Sequence, residues 1–141
     1  MIIVVAGLIA LAFAAPAPAE EKAYEKLARL IQVTSEDDFE PTVATLVAGE
    51  LSCPSSRALV MVISCASELL SAPDVTAAVM AECKRESAEL GCAKTKASQR
   101  VNVLKVYDLT VPGKPPDKRI LAKVRLKSGD DSYVGVASLD F

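Results

Sequence analysis

Histidine and tryptophan are absent from the 141 residues, and tyrosine and phenylalanine number only three each. Without histidine, no Ser-His-Asp triad, no Cys-His pair and no His-containing zinc site can be built. A dominant charge is lacking too. The 16 Lys and Arg stand against 18 Asp and Glu, a formal net charge of -2, too weak to suggest nucleic acid as a partner. No apolar run reaches the ~20 residues that a membrane-spanning helix needs. No nucleophile–base pair stands out, and Asp130 and Asp131 read as turn residues. An enzyme is therefore not expected, nor a cofactor or metal. What is present is a globular balance, 51% apolar and 24% charged, which fits a small folded protein and argues against a wholly disordered chain.

The N-terminus reads as an address. Residues 2–15 are apolar without a break, and the first charge is Glu20. This is the size of a signal-peptide core followed by small residues. Small-x-small patterns occur at Ala12-Phe13-Ala14 and Ala17-Pro18-Ala19, and cleavage after Ala14 or Ala19 avoids a proline at the next position. The n-region has no Lys or Arg, only the free amine. Residues 1–19 are taken as a signal peptide, with an uncleaved anchor as the alternative. The expected protein is secreted and extracellular, with no membrane partner after signal removal. The four cysteines suit an oxidising compartment.

Residues 20–70 form an N-terminal helix and strand segment. Ala23, Tyr24, Leu27, Ala28 and Ile31 fall at helical spacing, which predicts a helix over 21–33. An acidic loop follows over 34–40. Residues 42–51 read as a strand, with Gly49 as a turn. Residues 57–70 remain open between a helix, with Ser55 and Ser56 as caps, and a buried strand over 60–63. Further on, Ser71 and Asp74 are spaced as a capping box around Pro73, and Gly91 is a natural stop, so 73–90 is the expected long helix. Strand patterns occupy 101–111, 120–127 and 133–139, with Gly129-Asp130-Asp131 as a hairpin turn. Helix followed by antiparallel meander gives an α+β fold class.

Charge is divided along the chain. Residues 20–82 carry eleven acids and four bases, and residues 84–127 carry twelve bases and four acids. Mutual attraction of the two halves explains this, and so does a basic face for an acidic partner.

Cys53, Cys65, Cys83 and Cys92 allow three pairings. Over nine residues of helix, Cys83 and Cys92 stand roughly 13 Å apart, against the ~7 Å limit between disulfide Cα atoms. If the helix holds, each must bond to Cys53 or Cys65, tying the N-terminal half to the long helix. The alternative, Cys53–Cys65 with Cys83–Cys92, requires a break in the helix.

Residues 71–141 resemble the cystatin superfamily, closest to the stefin type. The resemblance rests on Ala72-Pro73-Asp74-Val75 at the helix start and on Leu109-Thr110-Val111-Pro112-Gly113 at a first hairpin. It continues through Ala122-Lys123-Val124, Gly129-Asp130, Tyr133-Val134 and Ser138-Leu139 in family order. It implies a long helix packed on an antiparallel sheet that wraps around it. It also implies inhibition of papain-like cysteine proteases, with Leu109, Thr110, Val111, Pro112 and Gly113 as the protease-binding residues. The alternative is a cystatin-fold binding module without inhibitory activity. Leu109 stands where the family has Gln, the family's glycine before the helix is absent, and residues 114–119 lengthen the hairpin. The chain ends at Phe141, where the family's second hairpin begins.

Residues 45–49 and 58–64 also align with 109–113 and 122–128 at equal spacing, which suggests a decayed repeat or a chance likeness of apolar segments. The sheet edge left beside 133–139 is expected to be covered by 42–51. Left open, it would permit a domain-swapped dimer.

Overall fold

The computed structural model describes residues 22–71 and 77–141; the expected signal peptide and the helix start at Pro73 and Asp74 lie outside them. Helix α1 (Ala23–Leu30) leads into strands β1 (Gln32–Ser35), β2 (Thr42–Leu46) and β3 (Leu51–Cys53). Helices α2 (Ser56–Ser71) and α3 (Ala77–Glu89) follow, then β4 (Ala93–Lys94), β5 (Gln99–Thr110), β6 (Asp117–Arg125) and β7 (Asp131–Gly135). A 3-10 turn (Val136–Ser138) delivers β8 (Leu139–Asp140). The fold is α+β, with three helices and an eight-stranded antiparallel sheet among the described residues.

The sheet order is β4-β3-β7-β6-β5-β2-β8, with β1 also on β5. β7 and β8 are three residues apart in the chain, a link that reaches no more than ~14 Å. Laid flat, the four strand spacings between them would span about 19 Å. The sheet therefore curls back on itself. β1 and β2 both run antiparallel to β5, and residues 36–41 bow out between them. The Glu36 N–H holds the base of this bow by donating to the Val106 carbonyl at 2.9 Å.

Two apolar cores result, one on each face. Inside the curl lie Val101, Val103, Val106, Ala122, Val124, Val134, Leu46 and Leu139. On the outer face Leu109 and Leu121 meet Ala58, Leu59 and Val60 of α2, with Tyr107 and Tyr133 at the margin. A β-bulge between Val103 and Lys105 shifts the alternation of β5 by one. For this reason Val101 and Val103 face the curl, whereas Tyr107 and Leu109, also odd-numbered, face the helix. The Tyr107 ring lies 6.0 Å from that of Tyr133. Burial first, and then its tyrosine neighbour, push the Tyr107 phenol up to about 12.

The ambiguous stretch 57–70 is helix. Ser55 caps it, its Oγ accepting the Ala58 N–H at 3.1 Å. Arg57 Nη1 then donates to the Ala28 carbonyl at 3.1 Å, fixing α1 on α2. The decayed repeat loses its support here, because 58–64 is helical while its counterpart is largely strand. The expected wrapping is corrected as well. The helix that lies on the sheet is α2; α3 packs chiefly on α2, and none of its described side chains is buried. α2 carries the broad apolar surface that a sheet face needs. α1 ends at Leu30 rather than 33, because Val33 pairs with Leu109 in β1, a strand the acidic composition of 34–40 concealed. No helix among the described residues is long and apolar enough to cross a membrane.

The disulfides are Cys53–Cys92 and Cys65–Cys83, so Cys83 and Cys92 each pair with the N-terminal half. The local pairing does not form, although α3 ends before Cys92. Gly91, at φ +80°, terminates α3, and the Cys92 N–H turns back to donate to the Ser87 carbonyl at 3.0 Å. This reversal carries Cys92 to β3. A Cβ on Gly91 would make ordinary contact with Pro54 Cγ at 3.4 Å, so the cost of a side chain there is the backbone strain of the positive φ.

The edge of β7 is covered by β3, just past the residues 42–51 expected to cover it. Ser52 pairs with Val134 and Cys53 with Tyr133, while Leu46 pairs with Leu139 in β8. The covering residues are 51–53 rather than β2 itself, since the turn at Gly49 splits the expected strand in two.

Candidate functional site

The β5–β6 hairpin is best described from its root outward. Between the pairs Tyr107–Leu121 and Leu109–Asp117, residues 118–120 of β6 stand opposite Asp108 alone. This bulge puts Arg119 at φ +54°, a left-handed conformation unusual for a residue other than glycine. Asp108 holds it there. Its Oδ1 accepts the Arg119 N–H at 3.0 Å and its Oδ2 accepts Lys118 Nζ at 3.0 Å. The Arg119 side chain reaches across to Glu36 Oε2 at 3.0 Å, joining the root to the bow after β1. The Arg119 N–H, followed by Lys118, holds the Asp108 carboxyl below its ordinary range. Lys118 is 69% exposed, so solvent screens its share and the backbone contact matters more.

The linkage has a definite sign. A carboxylate with a depressed native pKa stabilises the fold above its unfolded value, about 4, and loses that contribution as pH falls through the native one. Asp108→Asn is expected to unfold at lower urea concentration than the parent at about pH 7, with the gap closing near pH 2. Urea titrations at the two pH values check this.

The stem is pinned on the inside. Thr110 pairs with Gln32, and Leu109 with Val33. Leu109, only 5% exposed, is buried against α2 rather than offered to a partner. Thr110 is half-buried in the ladder, and Val111 is half-buried beside the same core. The apolar character that suggested contact residues at 109 and 111 thus anchors the hairpin. Beside the stem lies a groove of about 350 Å³ bounded by Leu27 and Ile31 of α1, Ile63 of α2, and Val111 and Ile120.

The tip projects. Pro112 and Gly113 are exposed. The Lys114 N–H donates to the Val111 carbonyl at 3.1 Å, and Gly113 sits at φ +80°. Pro at the second and Gly at the third position are what a type II turn demands. Lys114, Pro115 and Pro116 extend the exposed tip. Two successive prolines have no N–H to give a neighbouring strand and hold the backbone extended. In the sequence these three residues read only as an insertion that lengthens the hairpin, although the Pro-Pro pair is a legible sign of a stiff loop. The root cluster of Glu36, Asp108 and Arg119 had no sequence signal beyond an acid within an apolar strand.

Cys53, Cys65, Cys83 and Cys92 all lie in disulfides. Among the described residues no group of three or more His, Cys, Asp or Glu side chains is placed to hold a metal ion. Fold and site together define a disulfide-bonded α+β protein that presents one stiff, proline-rich hairpin. The chain matches no family model, no curated protein and no solved structure.

Proposed function

We propose that the chain is a secreted binding module that docks on a protein partner through the β5–β6 hairpin, and that the partner is a papain-like cysteine protease blocked at its active-site groove. The observation that carries this reading is the tip at 112–116, exposed, turned by Pro112-Gly113 and stiffened by Pro115 and Pro116. A preordered loop loses little conformational entropy on docking. The resemblance to cystatins supports the choice of partner, and the meander β5-β6-β7 beside a sheet-packed helix is compatible with it.

A second reading, the same module without inhibitory activity, has its own support. Leu109, which stands where the family has Gln, is buried against the core and not offered at the surface.

Titration of the purified protein against papain separates the two. Inhibition at micromolar concentration or below is expected. Gly113→Glu should weaken it about 30-fold, the loss typical of a hot-spot residue. No atom lies within 4 Å of a Cβ at this position, so packing is untouched, and the positive φ of +80° makes a side chain there strain the turn itself, so the effect falls on the shape and contacts of the tip. An inert wild-type protein would leave only the non-inhibitory reading.

A further inference from the structure

Twelve of the sixteen basic residues fall in 84–127, and the fold gathers several of them on one bare surface away from the hairpin. α2 covers the outer face of β5 and β6 only near Tyr107, Leu109 and Leu121. Farther along, Val101, Val103 and Val124 turn inward, so alternation turns Arg100, Asn102 and Arg125 outward. Asn102 stands opposite Arg125, and Arg100 opposite Thr45. An open trough of about 450 Å³ lies here, and a second of about 540 Å³ lies beside it along residues 94–99; the two share the wall made by Leu126 and Lys127. Arg100 and Arg125 line the first and Lys94 and Lys96 the second.

Neither trough is lined by a carboxylate or an aromatic ring. Arg125 is engaged, its Nε donating to Asp131 Oδ1 at 2.9 Å. Among the described residues, Lys94, Lys96, Arg100 and Lys127 make no ion pair. Lys94 and Arg100 stand on strands and Lys96 and Lys127 on the adjoining loops; with no anion of their own, these four cations are ready to pair with an external one.

We infer that this face binds a linear sulfated polysaccharide. The troughs are shallow and continuous, which suits an extended chain of anionic groups rather than a compact ligand. They offer no ring on which a nucleic-acid base stacks, and the exposed Val43 on the wall of the first lies open rather than in a closed pocket that an apolar anchor of a peptide would fill. Guanidinium and ammonium groups bind sulfate oxygens directly, and no existing ion pair of these four must break first. The compartment that maintains the two disulfides is also the one where sulfated polysaccharides occur, so the choice of polyanion rests on the secreted reading. The site itself is independent of the hairpin.

Retention on immobilised heparin tests the inference. The protein has a pI near 5.2, so net charge alone predicts no retention at neutral pH. Binding that falls with salt is expected. The variant Lys96→Glu/Arg100→Glu/Lys127→Glu should lower the slope of log affinity against log salt by about three and weaken low-salt binding about 100-fold or more. The same charge change on α1 and α3, Lys26→Glu/Lys84→Glu/Arg85→Glu, should leave affinity within about threefold, because it lies off the face. Circular dichroism melting of both variants reports whether they fold. Failure of the parent to bind heparin at low salt would overturn the inference. So would equal losses in the two variants, or equal binding of hyaluronan or single-stranded DNA. None of these outcomes bears on the papain titration.

Discussion

Replacing Cys53 and Cys92 together by alanine is expected to lower the unfolding free energy by about 4 kcal/mol. The bridge closes a sequence separation of 39 residues, and the chain-entropy cost of leaving that loop open in the unfolded state gives this figure. Position adds to it. Cys53 is 1% exposed and pairs with Tyr133, so the bond fastens β3, the strand that covers the edge of β7, to the turn after α3. The bridge Cys65–Cys83 spans 18 residues, for which the same entropy gives about 3 kcal/mol. Its loss should differ in kind. α3 packs chiefly on α2 and contributes no described buried side chain, so Cys65→Ala/Cys83→Ala should release α3 while the sheet persists. Thermal melts and amide exchange distinguish the two cases. The first pair should lower the midpoint by on the order of 15 °C or more and loosen β3 and β7. The second should lose exchange protection mainly in α3. Equal protection losses across the sheet in both variants would contradict this division.

Leu121→Ala is expected to cost about 2–5 kcal/mol, as a fully buried leucine does when its cavity cannot collapse. Leu121, on β6, is 0% exposed and packs against α2 in the outer core. It has strand neighbours on both sides, Tyr107 on β5 and Gly135 on β7, which limits relaxation. The comparison is Leu30→Ala. Leu30 is 53% exposed, and its truncation should change stability by no more than about 0.5 kcal/mol. Urea denaturation of both variants checks the contrast. A Leu121→Ala protein as stable as the parent would mean that α2 does not seal the outer face of the sheet.

Legibility varied along the chain for physical reasons. The alternation of 120–127, the turn at Gly129 and the stop at Gly91 were readable because each depends on neighbours in sequence. Leu109 was not. Its apolar side chain suits a contact loop and a buried stem equally, and only the arrival of α2 decides between them. The 57–70 segment was undecided for a like reason: Val60 to Ile63 fit a strand or a helix, and the Ser55 cap and the seat on the sheet settle it. The hairpin tip was found, but its three added residues and its root at Asp108 and Arg119 were missed. The root joins β5, β6 and the bow after β1, which no local pattern brings together.

By itself the sequence determined the α+β class and the stop of α3 at Gly91, and it made pairing of Cys83 and Cys92 with each other conditional on a break in that helix. Those follow from short-range geometry, where chain connectivity fixes distances. Tertiary structure decided which helix lies on the sheet, how the sheet curls, which of the odd-numbered β5 residues face inward, and how the basic residues of β5 and β6 line one surface. Each of these depends on contacts between residues far apart in sequence, and the apolar pattern that drives burial does not say against what a residue is buried.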